Sequence, residues 1–106
     1  MALEKEHLDV YQFPITKDGA QIDFAKMDSN THHPQHIHDA GSAKLYVISG
    51  KGMIHLNDKS VNYASGDTFD VPKGTAHGFS VEEETLLLSI QDHPILQGDK
   101  LDFRYK

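Results

Sequence analysis

The sequence lacks cysteine, long apolar runs and basic clusters. Without cysteine, neither a disulfide framework nor a thiolate metal site is possible. Nowhere do about 18 apolar residues run together, and the charged N-terminus has no apolar signal core. Lysine and arginine total 10 against 16 acidic residues, which disfavours nucleic acid and anionic membranes as partners. We therefore expect a cytoplasmic protein that binds neither.

The length of 106 residues allows one modest hydrophobic core. We expect a single domain spanning residues 1–106. Its hydrophobic content of 38% suits a small protein that hides part of its apolar surface in a pocket or a dimer interface.

Short segments of alternating or β-forming residues, separated by turn signals, run through the whole chain. The sequence predicts a hairpin turn at Gly50-Lys51-Gly52 and a solvated turn at Glu82–Glu84. The last apolar run, 85–91, is typical of a strand buried on both faces, and 101–105 is a candidate edge strand. No stretch has a helical period. This pattern predicts an all-β sandwich or barrel with strands over 8–13, 21–27, 43–49, 53–56, 60–64, 77–81 and 85–91.

Half of the eight histidines lie within positions 32–38. On a strand, alternate side chains share a face, so His36 and His38 point the same way with Cα atoms about 6.6–7 Å apart. Two imidazoles can hold one small ion if a neighbouring strand supplies a third ligand. His77 is the candidate third ligand, because a strand and a Pro/Gly turn precede it.

Residues 30–81 resemble the two sequence motifs of the cupins, a family of small barrels. The resemblance implies an antiparallel jelly-roll barrel, with the three histidines as its metal ligands. The positions that match the motifs are His36, His38 and Gly50 in the first, and Gly66, Pro72, Gly74 and His77 in the second.

Three motif positions depart from the family. Asn30 replaces an opening glycine and Val81 a closing asparagine. Ala43 stands where the family usually has a glutamate that supplies a fourth ligand. The resemblance therefore implies a site of three histidines only.

Three neutral imidazoles suit one divalent transition metal ion, namely Fe, Ni, Zn, Mn or Cu. The missing carboxylate leaves a position open and makes the centre more positive, which favours an anionic ligand. Three-histidine cupins include thiol and diketone dioxygenases. We expect a metal-dependent enzyme that acts on a small anionic organic molecule, namely a dioxygenase, isomerase or lyase in that order of preference. The alternatives are a non-catalytic cupin that binds or senses a small molecule, and a structural dimer with an empty barrel.

The predicted hairpin sets the inner face of the barrel. It pairs position 47 with 54 and 45 with 56, and Phe79 lies two residues after His77. These positions predict an apolar pocket lined by Leu45, Val47, Ile54, Leu56 and Phe79. The same pairing puts His55 on the outer face. Tyr46, Ile48 and Met53 lie there too and are compatible with a homodimer, which the resemblance implies.

Two further histidines, His32 and His33, lie in the predicted loop before the His36 strand. They are either solvent-exposed or close enough to hydrogen-bond a ligand histidine, act as a fourth ligand or carry a proton. No catalytic residue is identified. Asp39, Asp67 and Asp70 are expected outside the barrel, so no carboxylate is placed on the inner face as a general base.

Overall fold

The computed structural model describes residues 2–5, 8–14, 21–93, 96–97 and 100–105. No helix occurs in these ranges, and so none that could cross a membrane. The strands are β1 Ala2–Lys5, β2 Leu8–Pro14, β3 Gln21–Met27, β4 Thr31–Ile37, β5 Ala43–Leu56, β6 Lys59–Ala64, β7 Thr68–Val71, β8 His77–Gln91, β9 Leu96–Gln97, β10 Lys100–Leu101 and β11 Arg104–Tyr105.

Two long strands, β5 and β8, form the frame of the barrel. They have 14 and 15 residues and pair antiparallel along almost their whole length. The first half of β5 pairs with β7 and with the end of β8, whereas its second half pairs with β6 and with the start of β8. β3 lies beside the second half of β8, and β4 lies beside its first half. The two halves enclose one core, which confirms the all-β antiparallel jelly-roll barrel.

The predicted hairpin at Gly50–Lys51 is wrong. β5 continues through it, and the chain first reverses at Asn57–Asp58, between β5 and β6. The register against β8 shifts between Val47 and Gly52, which is the signature of a bulge. Gly50 has a φ of 106°, a conformation open to glycine but strained for other residues. The bulge changes which positions point inward, just as a hairpin would.

The acidic triple Glu82–Glu84 is part of β8 and does not form the predicted turn. Its side chains are exposed, as expected. Lys51 lies 3.5 Å from Glu82 and 3.7 Å from Glu83, and Lys26 lies 3.7 Å from Glu84. Exposed pairs of this kind contribute little to stability. The strand therefore continues because of its backbone pairing with β5.

The buried core lies between the two halves of the barrel. The hydroxyl groups of Tyr63 and Thr85 share a hydrogen bond of 2.6 Å, and Thr85 is fully buried. The core cluster consists of Met27, Leu45, Val47, Ile54, Tyr63, Val71, Phe79, Val81 and Leu87.

The outward side chains of β3, β8 and the first half of β5 form an apolar sheet face. Segment 85–91 is therefore not buried on both faces: Leu87 is in the core, but Ile90 is 39% exposed. Phe24 and Tyr46 both lie opposite Leu88 on neighbouring strands. We call this surface the outer apolar face, and it comprises Ile22, Phe24, Tyr46, Ile48, Leu88 and Ile90.

Candidate metal centre

Three histidines converge at the end of β4 and the start of β8. His36 and His77 are direct cross-strand partners, and His38 follows β4. Their ring centroids are 4.1 Å apart for His36 and His77, 5.0 Å for His36 and His38, and 5.2 Å for His38 and His77. One ring nitrogen of each lies within 4.8 Å of the others. The structure thus brings together the three predicted ligands; their binding of a metal remains a prediction.

Backbone carbonyls orient two of the three rings. His77 Nδ1 lies 3.2 Å from the Thr75 carbonyl oxygen, and His38 Nδ1 contacts the Asp102 carbonyl oxygen. Because a carbonyl oxygen only accepts, Nδ1 must carry the proton and donate in both rings. The lone pair of Nε2 then remains available to a metal ion.

Burial keeps His77 in its metal-binding form. Its side chain is only 5% exposed. Desolvation by burial lowers the pKa of His77 to about 4; the Thr75 hydrogen bond opposes this shift and the electrostatic interaction with His38 adds to it. The imidazole is therefore neutral at pH 7, as metal coordination requires.

The C-terminal segment covers the histidines. Phe103 stacks on His36 with ring centroids 4.6 Å apart, and its ring meets His38 edge-on at 5.9 Å. The following residues pair with β4 as β11. Only part of the predicted edge strand 101–105 is extended, since residues 102 and 103 lie between β10 and β11.

Polar contacts hold this covering segment in place. Arg104 donates to the Asp39 carboxylate at 2.6 Å and 3.1 Å, which keeps the pKa of Asp39 below its usual value. The Asp102 carboxylate accepts from the backbone N–H groups of Ala40 and Gly41 at 3.0 Å and 3.1 Å. Sequence reasoning missed the roles of Asp102 and Phe103, because no motif links them to histidines more than 60 residues earlier.

The barrel interior carries a carboxylate that sequence reasoning also missed. Asp23 is 2% exposed and accepts hydrogen bonds from the side-chain amides of Gln21, at 3.1 Å, and Gln91. Ser89, the cross-strand partner of Asp23, lies 3.3 Å from the Gln91 amide. We call Gln21, Asp23, Ser89 and Gln91 the polar set. The interior is therefore not wholly apolar, contrary to the sequence-based expectation.

The three aspartates that were expected outside the barrel are indeed exposed. Asp39, Asp67 and Asp70 are all exposed. Ala43, at the glutamate position of the family, is half-buried and packs against the core cluster. Its strand neighbours are Val71 and Gln91.

His32 and His33 lie in β4, not in the predicted loop. His32 is exposed on the outer face, where its Nδ1 is 3.1 Å from the Ser80 hydroxyl. His33 is half-buried, with its Nε2 3.2 Å from the Thr31 hydroxyl. His55 lies within 2.7 Å of both the Ser60 and Ser80 hydroxyls and is outside the histidine cluster. A role for His32 or His33 beside the ligands stays a prediction.

The five residues predicted to line a pocket belong to the packed interior. Phe79 pairs with Ile54 across β8 and β5. Their lining of a ligand pocket stays a prediction. Four are members of the core cluster and the fifth packs against it, namely Leu45, Val47, Ile54 and Phe79, with Leu56 alongside.

Comparison with known families agrees with this architecture. Residues 24–90, well over half of the chain, match the family described as "Cupin domain". The chain therefore belongs to the cupin family. No curated protein sequence matches it significantly.

Solved structures of similar fold are distant in sequence. The capsular polysaccharide assembling protein CapF from Staphylococcus aureus has a TM-score of 0.79 and 17% identity; the match covers 99% of this chain but only 31% of CapF. KdgF from Halomonas sp. has a TM-score of 0.75 and 20% identity, covering 86% of this chain and 85% of KdgF. Pac13 from Streptomyces, described as a nucleoside dehydratase, has a TM-score of 0.73 and 19% identity; the match covers 100% of this chain and 83% of Pac13. A Pac13 variant solved with uridine has a TM-score of 0.74. At these identities the likeness establishes the fold alone.

Proposed function

We propose that this cupin is a metal-dependent enzyme that acts on a small anionic organic molecule. One divalent transition metal ion, Fe, Ni, Zn, Mn or Cu, would be held by His36, His38 and His77. The convergence of three imidazole nitrogens within 4.8 Å carries this proposal. A set of nitrogen donors alone suits these metals, whereas Mg and Ca prefer oxygen.

The chain's own residues prepare the centre. The Thr75 and Asp102 carbonyls hold two imidazoles in the tautomer that leaves Nε2 free. Ala43 leaves one coordination position without a protein carboxylate, and a bound ion would supply Lewis acidity there. Nearby Asp39 is already paired with Arg104. Positive charge at the centre therefore favours an anionic oxygen ligand.

Among the three reaction classes, isomerase and lyase gain support over dioxygenase. Both need a group that moves a proton, and Asp23 is a carboxyl group inside the barrel. The nucleoside dehydratase Pac13, a barrel of the same fold, is a lyase-type example that favours the same choice.

Metal content tests the proposal directly. Protein purified without an affinity tag or added metal is expected to contain about one equivalent of transition metal per chain by elemental analysis. A site that is empty and also refuses added Zn, Ni and Fe would overturn the metal-dependent enzyme. That outcome would support the non-catalytic small-molecule-binding cupin.

Ala43→Glu is expected to tighten metal binding by about tenfold or more, equivalent to about 1.4 kcal/mol. The new carboxylate would take the position that the family glutamate occupies. Competition with a chelator measures the affinity. Ala43→Gln, of the same size but uncharged, controls for crowding against Val71 and Gln91. Equal affinities in the two variants would show that position 43 does not reach the metal.

We also propose that the outer apolar face is a homodimer interface. Ile48 is 45% exposed and Phe24 36% exposed, beside Ile90 in one sheet. Met53, which was also expected there, pairs instead with β6 and with the start of β8, in the other half of the barrel.

Phe24→Lys combined with Ile90→Lys is expected to convert the dimer into a monomer, because two lysines would be desolvated against an apolar partner. Light scattering after size-exclusion chromatography measures the mass. Val61→Lys replaces an exposed apolar residue on β6 and should leave the dimer intact. A double variant that remains dimeric would place the interface elsewhere.

A further inference from the structure

The polar set occupies facing positions on two paired strands. Gln21 pairs with Gln91 and Asp23 pairs with Ser89 across β3 and β8. All four side chains are buried on the inner face. Farther along the same strands, the inner positions Met27 and Leu87 belong to the apolar core. Polar side chains are therefore concentrated at one end of the barrel.

That end is the one that holds the histidines. Ala43 pairs with Gln91, and only four residues separate it from His38. The loop before β8 ties the two sides together: Gly74 N–H donates to the His38 carbonyl at 2.8 Å, and Lys73 N–H donates to the Ser42 hydroxyl at 3.0 Å. The histidines lie on the half built from β4, and the polar set lies on the half built from β3. The polar set and the histidines therefore approach the same end of the barrel from opposite halves.

The burial of Asp23 does not stabilise the fold at neutral pH. Burial raises the pKa of Asp23 to about 6, and the hydrogen bonds from Gln21 and Gln91 offset only part of this. Between pH 3.8 and about 6 the folded protein keeps a proton that the unfolded chain has lost. Ionisation of Asp23 therefore lowers the free energy of unfolding as the pH rises through this range. A group that is unfavourable to folding at neutral pH needs another role.

The hydrogen-bonding capacity of the set defines what it can bind. An ionised carboxylate has about four acceptor sites, and among the described residues two amide N–H groups reach Asp23. Glutamine amides and a serine hydroxyl each both donate and accept. Such a mixture matches ligand hydroxyl groups, which also do both. It does not match a hydrocarbon chain.

We propose that Gln21, Asp23, Ser89 and Gln91 form a hydroxyl-binding subsite, and that the ligand is a small polyhydroxylated carboxylate. Its carboxylate would lie at the histidine centre and its hydroxyl groups would lie against the polar set. This inference rests on the proposed function, since the metal holds one end of the ligand.

Calorimetric titration of nickel-loaded protein with two probes tests the subsite. D-gluconate and hexanoate have the same carbon chain and carboxylate, but only gluconate carries hydroxyl groups along it. The wild type is expected to bind gluconate at least about tenfold more tightly than hexanoate. Asp23→Asn should weaken gluconate binding by about tenfold or more and leave hexanoate binding unchanged.

Two further variants separate the subsite from general effects. Gln91→Leu removes a neighbouring member of the set and should act like Asp23→Asn. Asp70→Asn neutralises an exposed carboxylate on β7 and should change nothing. Thermal melting shows whether each variant is folded, and nickel analysis after each titration shows whether gluconate has removed the metal.

Each outcome has a separate meaning. Equal wild-type affinity for the two probes, binding of neither, or unchanged gluconate binding in both folded variants would overturn the hydroxyl-binding subsite while nickel binding upheld the metal centre. A wild-type protein that takes up no nickel would instead overturn the proposed function.

Discussion

His77→Ala is expected to abolish stoichiometric metal binding and to leave a folded barrel. The substitution removes one of three converging donors, and two imidazoles cannot define a closed site. Loss of a hydrogen bond to a metal ligand typically lowers metal affinity by about 10–100-fold, so loss of a ligand should exceed about 100-fold. Elemental analysis after loading with one equivalent of Ni or Zn measures the effect. The metal-free variant should still melt cooperatively, because β8 keeps its pairing with β5.

The control is another histidine of the same sheet. His55 is hydrogen-bonded to Ser60 and Ser80 on the outer face, away from the cluster. His55→Ala should therefore keep its full metal content, whereas His36→Ala should behave like His77→Ala. Loss of metal in the His55 variant, together with retention in the His77 variant, would show that the ligands are wrongly assigned.

Gly50→Ala is expected to lower the free energy of unfolding by about 2–5 kcal/mol. A Cβ atom at this position would lie 2.5 Å from the Glu84 carbonyl oxygen and the Thr85 hydroxyl, and 2.7 Å from the Thr85 Cα. Most of these atoms are backbone, and Thr85 is fully buried, so they cannot move aside. The positive φ of 106° adds backbone strain. Urea unfolding followed by circular dichroism measures the loss.

Gly66→Ala separates strain from crowding. Gly66 has a comparable φ of 93°, but a Cβ there would meet nothing within 4 Å. The free energy of unfolding of Gly66→Ala should therefore fall by only about 1 kcal/mol, from backbone strain alone. If both variants lose the same amount, the bulge of β5 does not pack against β8 as closely as the structure indicates.

The bulge also explains why the sequence predicted the inner face correctly and the path of the chain wrongly. Leu45 and Val47 are odd-numbered and Ile54 is even-numbered, and all three are buried. A change of parity arises from a hairpin or from a bulge, and glycine near position 50 suits both. The bulge is distinguished from a hairpin only by the pairing of β5 with β8, which joins residues distant in sequence.

The three histidines could be predicted because their spacing is local. His36 and His38 alternate within one strand, and His77 follows a turn with its own glycine and proline. Asp23 could not be predicted, since β3 has apolar residues on both faces. Phe24 lies on one face and Met27 on the other, so alternation does not show which side is inward.

The cover over the histidines comes from a short segment that is distant from them in sequence. Phe103 follows His77 by 26 residues, and the two-residue strand β11 ties this segment to β4. Segments held by few contacts open locally at a much lower free energy than the whole fold. Opening of residues 102–105 would therefore uncover His36 while β4 and β8 keep their pairing, so that solvent reaches the histidines without unfolding of the barrel.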